Sequence, residues 1–389
     1  MKARPRNPFE YGRELGLPEL IDRSEERAQI AATIRNRGKL FVIGPRRFGK
    51  TSLLAAAGEE AAAEGVIVLR LDAEKFDTLE RLSTALLNGA TRQLSGPLEK
   101  TVALVGKAAA RLRPQISIDD EGRPVASVGI SPREGEVVPM LGDTLDAIEQ
   151  MAADSRREVV VILDEVQHIV VEHGLSAERQ LRSTIQGHKH VAYIFAGSAT
   201  RLLNEMTSDP NRPFYRLGAR IFLDVLPRGE LIDALEQRFR NSGFDVKEGA
   251  CELIIDLAAD VPYNVQRLAH ELWEMLREGT FSSANQASID AALERVVRRE
   301  DLAYTQIWTK LRKNQRLGLR AVIAEGGESL LRAEVAKRVG ITTPSLQKAL
   351  GQLEQLDLIR QVSARGKSRW VLVDPFLAAW LKMAQGDYG

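Results

Sequence analysis

Apolar positions along the chain change rhythm twice. In the first stretch, aliphatic blocks recur at Leu40–Ile43, Val66–Leu71, Val159–Leu163, Ala192–Gly197 and Ile221–Leu226. Unbroken runs of this length read as strands buried on both faces, the pattern of a parallel sheet covered by helices. Helical spacing between them predicts the covering layer over Glu25–Asn36, with Ala28, Ile30, Ala31 and Ile34 as its apolar face, and over Leu53–Ala63, Leu79–Leu112 and Asp143–Ala153. Ser24 or Asp22 caps the first of these. Alternating residues from Ile116 to Val137 flank Asp119–Pro124 and predict a β-hairpin inserted at about 114–138. Residues 1–20, with Pro5, Pro8 and Pro18, read as an extended segment outside the packed elements.

From Arg228 onward only the helical period remains, over Glu230–Asn241, Ala250–Ala259, Asn264–Glu278 and Ile289–Arg299. Asp301–Gln315 reads as a connector. Helices are then expected at Arg316–Ala324, Arg332–Val339 and Pro344–Leu356, with Gly340-Ile-Thr-Thr between the second and third. Strands at Leu358–Val362 and Arg369–Val373 follow, and together these make a winged helix-turn-helix. The expected organisation is an α/β core over 1–226, an all-helical lid over 227–300 and a winged helix over 301–389.

Length agrees, since 389 residues exceed what one core usually organises. The 44% hydrophobic and 28% charged content is ordinary for a globular chain, and no apolar run approaches a membrane span. Cys251 is the only cysteine, which excludes an intrachain disulfide and a multi-thiolate metal site and suits a reducing compartment. With a basic N-terminus lacking a secretory apolar block, the expected location is the cytoplasm. Net charge is +1, but from Leu311 to the end thirteen Lys and Arg face seven Asp and Glu. That local surplus suggests a polyanion, with Lys348, Arg365, Lys367 and Arg369 on the third helix and wing as phosphate contacts. A protein-docking role for the winged helix stays open.

The candidate chemistry begins where the first strand ends. Gly44-Pro45-Arg46-Arg47-Phe48-Gly49-Lys50-Thr51 matches the phosphate-binding loop GxxxxGK[ST], with a strand before it and a helix behind. The glycines allow backbone N–H groups to face inward around phosphate oxygens, and the helix N-terminus behind them favours an anion. In this pattern Lys50 reaches the β- and γ-phosphates, and the Thr51 hydroxyl is a ligand of Mg²⁺. Val159–Leu163 delivers Asp164 and Glu165 at its C-terminal edge. Asp164 is then the candidate Mg²⁺ anchor and Glu165 the base acting on water. Ser198 either orients that water or simply ends its strand, and Arg216 is either a charge-stabilising finger on another subunit's phosphate or a surface arginine. His168, His173, His188 and His190 lack metal-ligand spacing and read as solvated or core residues.

Taken together these motifs resemble the AAA+ class of P-loop NTPases, and more narrowly the archaeal-type ATPase family related to signal-transducing NTPases. GPRRFGKTSLL, VVVILDEVQ, FAGS and RPFYRLGARIFLDVLPRGE carry the resemblance, with Val373-Asp-Pro-Phe376 and Trp380 near the C-terminus. It implies an adenine contact from Asp22 and Arg23, phosphate contacts extending to Ser52, Gln167 in its usual place after the acid pair, and Arg216 in the arginine position. Two positions depart from the family pattern. Tyr215 stands where glycine is common, and Val261-Pro262-Tyr263-Asn264 lacks the sensor arginine; Arg267, one turn later, either substitutes for it or, as is commoner for a lid helix arginine, is a surface residue.

The expectation is an ATP- and Mg²⁺-dependent ATPase that switches between ATP and ADP states to control its winged helix on double-stranded DNA. The alternatives are a DNA loader of origin or transposition type, and a scaffold or defence sensor docking a partner protein. A homo-oligomer is compatible with each, and no membrane role is expected.

Overall fold

All five aliphatic blocks become strands of one parallel sheet. In the computed structural model, described over residues 6–94, 112–118, 124–130, 138–198, 200–364 and 367–384, β1 (Lys39–Ile43), β2 (Ile67–Asp72), β5 (Val159–Asp164), β6 (Val191–Gly197) and β7 (Ala219–Phe222) run in the order β2-β5-β6-β1-β7. The two-residue period of a strand divides the core between the faces. Phe41, Ile43, Val161, Leu163, Tyr193 and Phe195 pack on one side and Leu40, Val42, Val160, Ile162 and Ile194 on the other. Helices α1 (Ser24–Arg35) and α2 (Lys50–Ala63) cover the second face. The first is covered by α3 (Leu79–Leu94), α4 (Val138–Ser155), α5 (Gln167–Gln186) and α6 (Thr200–Ser208). Register aligns the strand ends, with Ile43 opposite Gly197 and Asp72 opposite Asp164, so the turns after β1, β5 and β6 open on one edge.

Several boundaries differ from the expectation. The helix after the phosphate loop begins at Lys50, not Leu53, because Gly49 takes a left-handed φ of 80° and starts it there. The helix expected through Leu112 is described only to Leu94, and Leu112 opens β3 (Leu112–Ile118), which pairs antiparallel with β4 (Pro124–Ile130). The connecting turn lies outside the described residues. Helix α5 after the acid pair carries no clean sequence signal, since Gly174 breaks its helical backbone with φ 67°.

Residues 13–226 form one compact unit; residues 1–12 and 227–389 form the other. Residues 6–20 hold no helix or strand beyond a 3-10 turn at Leu17–Glu19, as expected of an extended segment, yet they are packed against the rest of the chain. In the second unit Phe9 is wholly buried with its ring 4.5 Å from that of Phe239. Asn7 Nδ2 donates to the His270 carbonyl at 3.1 Å and to Glu274 at 2.9 Å. In the first unit, the Leu15 N–H donates to Ser52 Oγ at 3.0 Å and Arg70 pairs with Glu14 at 2.7 Å. A lone phenylalanine among prolines and arginines has no periodicity to reveal its burial.

In the second unit, α7 (Arg228–Asn241), α8 (Ala250–Leu257), α9 (Pro262–Arg277) and α10 (Gln286–Arg299) form the helical lid, with one short parallel pair, β8 (Asp245–Val246) and β9 (Ser283–Ala284). The expected connector is itself a helix, α11 (Asp301–Lys310). The winged helix follows: α12 (Lys313–Ala324), α13 (Ala333–Arg338), α14 (Thr343–Gln355), then β10 (Ile359–Ala364) paired with β11 (Lys367–Leu372), and α15 (Phe376–Ala384). Trp370 N–H donates to the Gly327 carbonyl at 3.0 Å. Gly327 has φ 79° and lies so close to the Trp370 backbone that any Cβ would collide with it.

Lid, connector helix α11 and winged helix are stitched together within this unit. Arg267, expected on the surface, is buried, pairs with Glu300 at 2.7 Å and lies over the Phe376 ring. Trp380 Nε1 donates to Asp301 at 2.7 Å and Tyr304 Oη to Asp374 at 3.1 Å.

Candidate functional site

The turn after β1 has the features an anion needs. Arg47 and Gly49 both take left-handed φ, at 70° and 80°. Gly44 runs so close to the chain leaving β7 that a Cβ would lie 2.8 Å from Leu223 Cβ. Helix α2 begins with no side chain capping its first turn and no acidic residue in it. Its leading N–H groups and the positive end of its dipole therefore face the loop.

Lys50 is buried, yet its charge is matched by both acids at the end of β5. Its Nζ lies 2.9 Å from Glu165 Oε1 and 3.8 Å from Asp164 Oδ1. Thr51 Oγ1 donates to Asp164 Oδ2 at 2.9 Å. The second Glu165 oxygen accepts from Ser198 N–H at 3.0 Å, from Ser198 Oγ at 2.8 Å and from Gln167 Nε2. Three adjacent strands thus supply one cluster: Lys50 and Thr51 beyond β1, the acids beyond β5, Ser198 beyond β6.

Electrostatics separate the two acids. Burial pushes the Asp164 carboxyl up; Lys50 and the Thr51 hydroxyl oppose this without cancelling it. Burial would also raise Glu165, but Lys50 together with the bonds from Gln167 and Ser198 outweighs it and brings the carboxyl down to about 2. Glu165 is ionised, fully engaged and at a left-handed φ of 49°.

The donor set suits a hard cation. A hydroxyl and a carboxylate in contact are what Mg²⁺ takes from protein when phosphate and water supply its remaining ligands. Among the described residues no group of three or more His, Cys, Asp or Glu offers an all-protein cage. His188 and His190 are engaged structurally, by Tyr193 and Asp146 and by Glu149.

Residues 33–204 match the family model described as an AAA domain. This region is an AAA domain. Among solved structures, a Walker-type ATPase of Pyrococcus abyssi aligns with 96% of this chain and 99% of its own at 20% identity, TM-score 0.63. The Aeropyrum pernix ORC2 protein in its ADPNP–ADP complexes aligns with 98% of each chain at 16% identity, TM-score 0.56. At these identities the likeness establishes the fold: a P-loop AAA core followed by a helical region and a winged-helix unit. No curated protein sequence matches the chain. Among the described residues no helix is long and apolar enough to cross a membrane.

Around the AAA domain's nucleotide edge, the remaining candidates divide by what holds them. Arg46 and Arg47 are exposed on the loop, Pro45 is half-buried and Phe48 is buried. Arg23, also buried and left-handed at φ 68°, donates to the Phe48 carbonyl at 3.4 Å and the Asp224 carbonyl at 2.7 Å, and pairs with Glu26 at 2.7 Å. It staples the start of α1 to the phosphate loop. Asp22 accepts from Ser24 N–H at 3.4 Å, and Ser52 accepts from Leu15. Arg216 is elsewhere, exposed ahead of β7, with its guanidinium 5.0 Å from the Tyr215 ring centroid.

The contact role of Gln167 is visible only here. It bonds Glu165 and lies against Gly197, where any Cβ would strike its side-chain oxygen. The sequence signal was its place two residues beyond the acid.

Proposed function

We propose that the chain is a Mg²⁺-dependent ATPase acting as a nucleotide switch on its winged helix. The observation that carries this reading is the joint contact of Lys50 and Thr51 with Glu165 and Asp164 across two strands. Thr51 and Asp164 would hold Mg²⁺, which would supply positive charge to offset the negative charge developing on the phosphate. Loop N–H groups and Lys50 bind the triphosphate. Glu165 polarises the attacking water once phosphate draws Lys50 away from it, and Ser198 orients the same water or the γ-phosphate. Asp22 and Arg23 shape the adenine side, Arg23 through the loop backbone it staples.

Arg216 is proposed to act on a second copy. Ala219 pairs with Leu40 at the start of β1, whereas the phosphate loop leaves β1 after Ile43. The rise from Leu40 to Ile43 alone is about 10 Å, and Arg216 lies on the far side of it from its own loop. ATPase rate per subunit should therefore rise with protein concentration and then level off, and Arg216→Ala should remove the rise. Absence of phosphate release at any concentration would overturn the ATPase reading itself.

The lid carries the switch outward. Arg267 of the lid lies over Phe376 of the winged helix, and Trp380 and Asp374 bind the winged helix to the connector α11, so movement of the lid carries the winged helix with it. On α14, Gln347 and Lys348 are exposed, as is Arg369 on the wing. The side chain of Lys367 and all of Arg365 lie outside the described residues. These positions, with the local basic surplus, favour duplex DNA over a partner protein. Reversing charge in a Lys348→Glu, Arg369→Glu double variant should weaken duplex binding and reduce the slope of log affinity against log salt by about 2. An unchanged slope with intact ATPase activity would favour a protein partner.

A further inference from the structure

The loop that presents Arg216 is held from beneath by a buried carboxylate. Glu178 on α5 has no exposed surface. One of its oxygens accepts from Arg212 Nε at 3.1 Å and Nη2 at 2.6 Å, and the other accepts the Phe214 N–H at 3.0 Å. One turn along the same helix, Arg182 donates to the carbonyl of Tyr215 at 2.7 Å and to that of Pro213. The backbone of the residues immediately before Arg216 is thus gripped from α5. Phe214 is buried as well, its ring 5.4 Å from Phe41 and 5.8 Å from Phe195.

Arg216 itself follows with a left-handed φ of 53° and an exposed side chain. A non-glycine residue keeps that conformation only where its surroundings impose it. Phe214 alone would anchor the loop by apolar burial. A buried ion pair adds little net stability over an apolar core, because desolvating both charges offsets their attraction. It does select one geometry, since any other leaves a buried charge without its partners.

We propose that Glu178, with Arg182 and Arg212, is a positioning device that holds residues 209–217 so that Arg216 meets the nucleotide of a second copy of this chain in a preset pose. The proposal rests on the reading of Arg216 above. Glu178 acts through the loop and touches no nucleotide. Its loss therefore lowers the rate that a subunit confers on its neighbour and leaves that subunit's own ATP binding unchanged.

Mixing tests this directly. A Lys50→Ala subunit retains Arg216 but holds no nucleotide, and an Arg216→Ala subunit holds nucleotide but lacks the arginine. Phosphate release is measured from fixed Arg216→Ala protein titrated with Lys50→Ala protein. The Lys50→Ala donor should raise the rate at least about tenfold. A Lys50→Ala, Glu178→Gln donor should restore less than about a tenth of that gain, while the Glu178→Gln single variant binds Mg-ATP with parental affinity in calorimetry.

Equal restoration by both donors overturns the positioning role and leaves the trans arginine standing. No restoration by the Lys50→Ala donor overturns both. A folded Glu178→Gln that loses Mg-ATP binding overturns the proposal. If circular dichroism shows that Glu178→Gln does not fold, Arg182→Met replaces it in the donor, with Arg182→Lys as the conservative variant that regains part of the rate. Full donation by Arg182→Met then overturns the proposal.

Discussion

Lys50→Ala lowers Mg-ATP affinity by at least about a hundredfold, the loss expected when a buried charge-assisted contact to phosphate is removed. Calorimetric titration reads it. The same change alters the protein without ligand, because Lys50 is the cation between Asp164 and Glu165. Two buried carboxylates left facing each other cost about 3 kcal/mol or more. The pH dependence separates this effect from simple loss of packing. In the parent, Glu165 is depressed from 4.5 to about 2, so its contribution is complete above 4.5 and is lost as pH falls toward 2. Asp164 is raised, so ionising it at neutral pH works against the fold, and acidification relieves that cost. Without Lys50 both carboxyls move upward. Denaturant unfolding of the variant at pH 7 and pH 5 should show a gap from the parent that narrows at the lower pH. A variant that bound Mg-ATP like the parent would remove Lys50 from the site.

Glu165→Gln has the opposite profile, with binding retained and turnover lost. Glutamine keeps the shape and a carbonyl acceptor for Lys50 or Ser198, so the cluster survives. It cannot take a proton, so the rate should fall by about a hundredfold to ten-thousandfold. Affinity for Mg-ATP should equal or exceed the parent's, since one negative charge facing the triphosphate is gone. Single-turnover hydrolysis with pre-bound nucleotide isolates the chemical step. Turnover at the parental rate would remove Glu165 as the base and leave the Gln167 and Ser198 contacts as purely structural. The present geometry already explains why idle hydrolysis would be slow. With Lys50, Gln167 and Ser198 all bonded to it, Glu165 is held near 2 and is a weak base until phosphate competes for Lys50.

Much of this was legible in residue order because the relevant signals are local. The aliphatic blocks are unbroken, so the sheet strands declared themselves, and the phosphate loop and the acid pair each lie at the end of one of them. The hairpin's strand pairing was also readable from alternation. Helix α5 was not, because Gly174 interrupts its apolar face. Nor was the burial of Phe9, Arg23 or Arg267, each a single residue whose partners lie on distant elements: Phe239, the Asp224 carbonyl, and Glu300 with Phe376.

By itself the sequence determined the elements, the phosphate loop and the identities of its two acids, since strand period, helix period and glycine-bounded turns are properties of neighbouring residues. Tertiary structure alone decided that Lys50 and Thr51 reach those acids, that Gln167 and Ser198 hold Glu165, and that Glu178 grips the loop before Arg216. Those facts depend on strand order and register, which bring together side chains more than a hundred residues apart in the case of Lys50 and Glu165. No local pattern encodes such a distance.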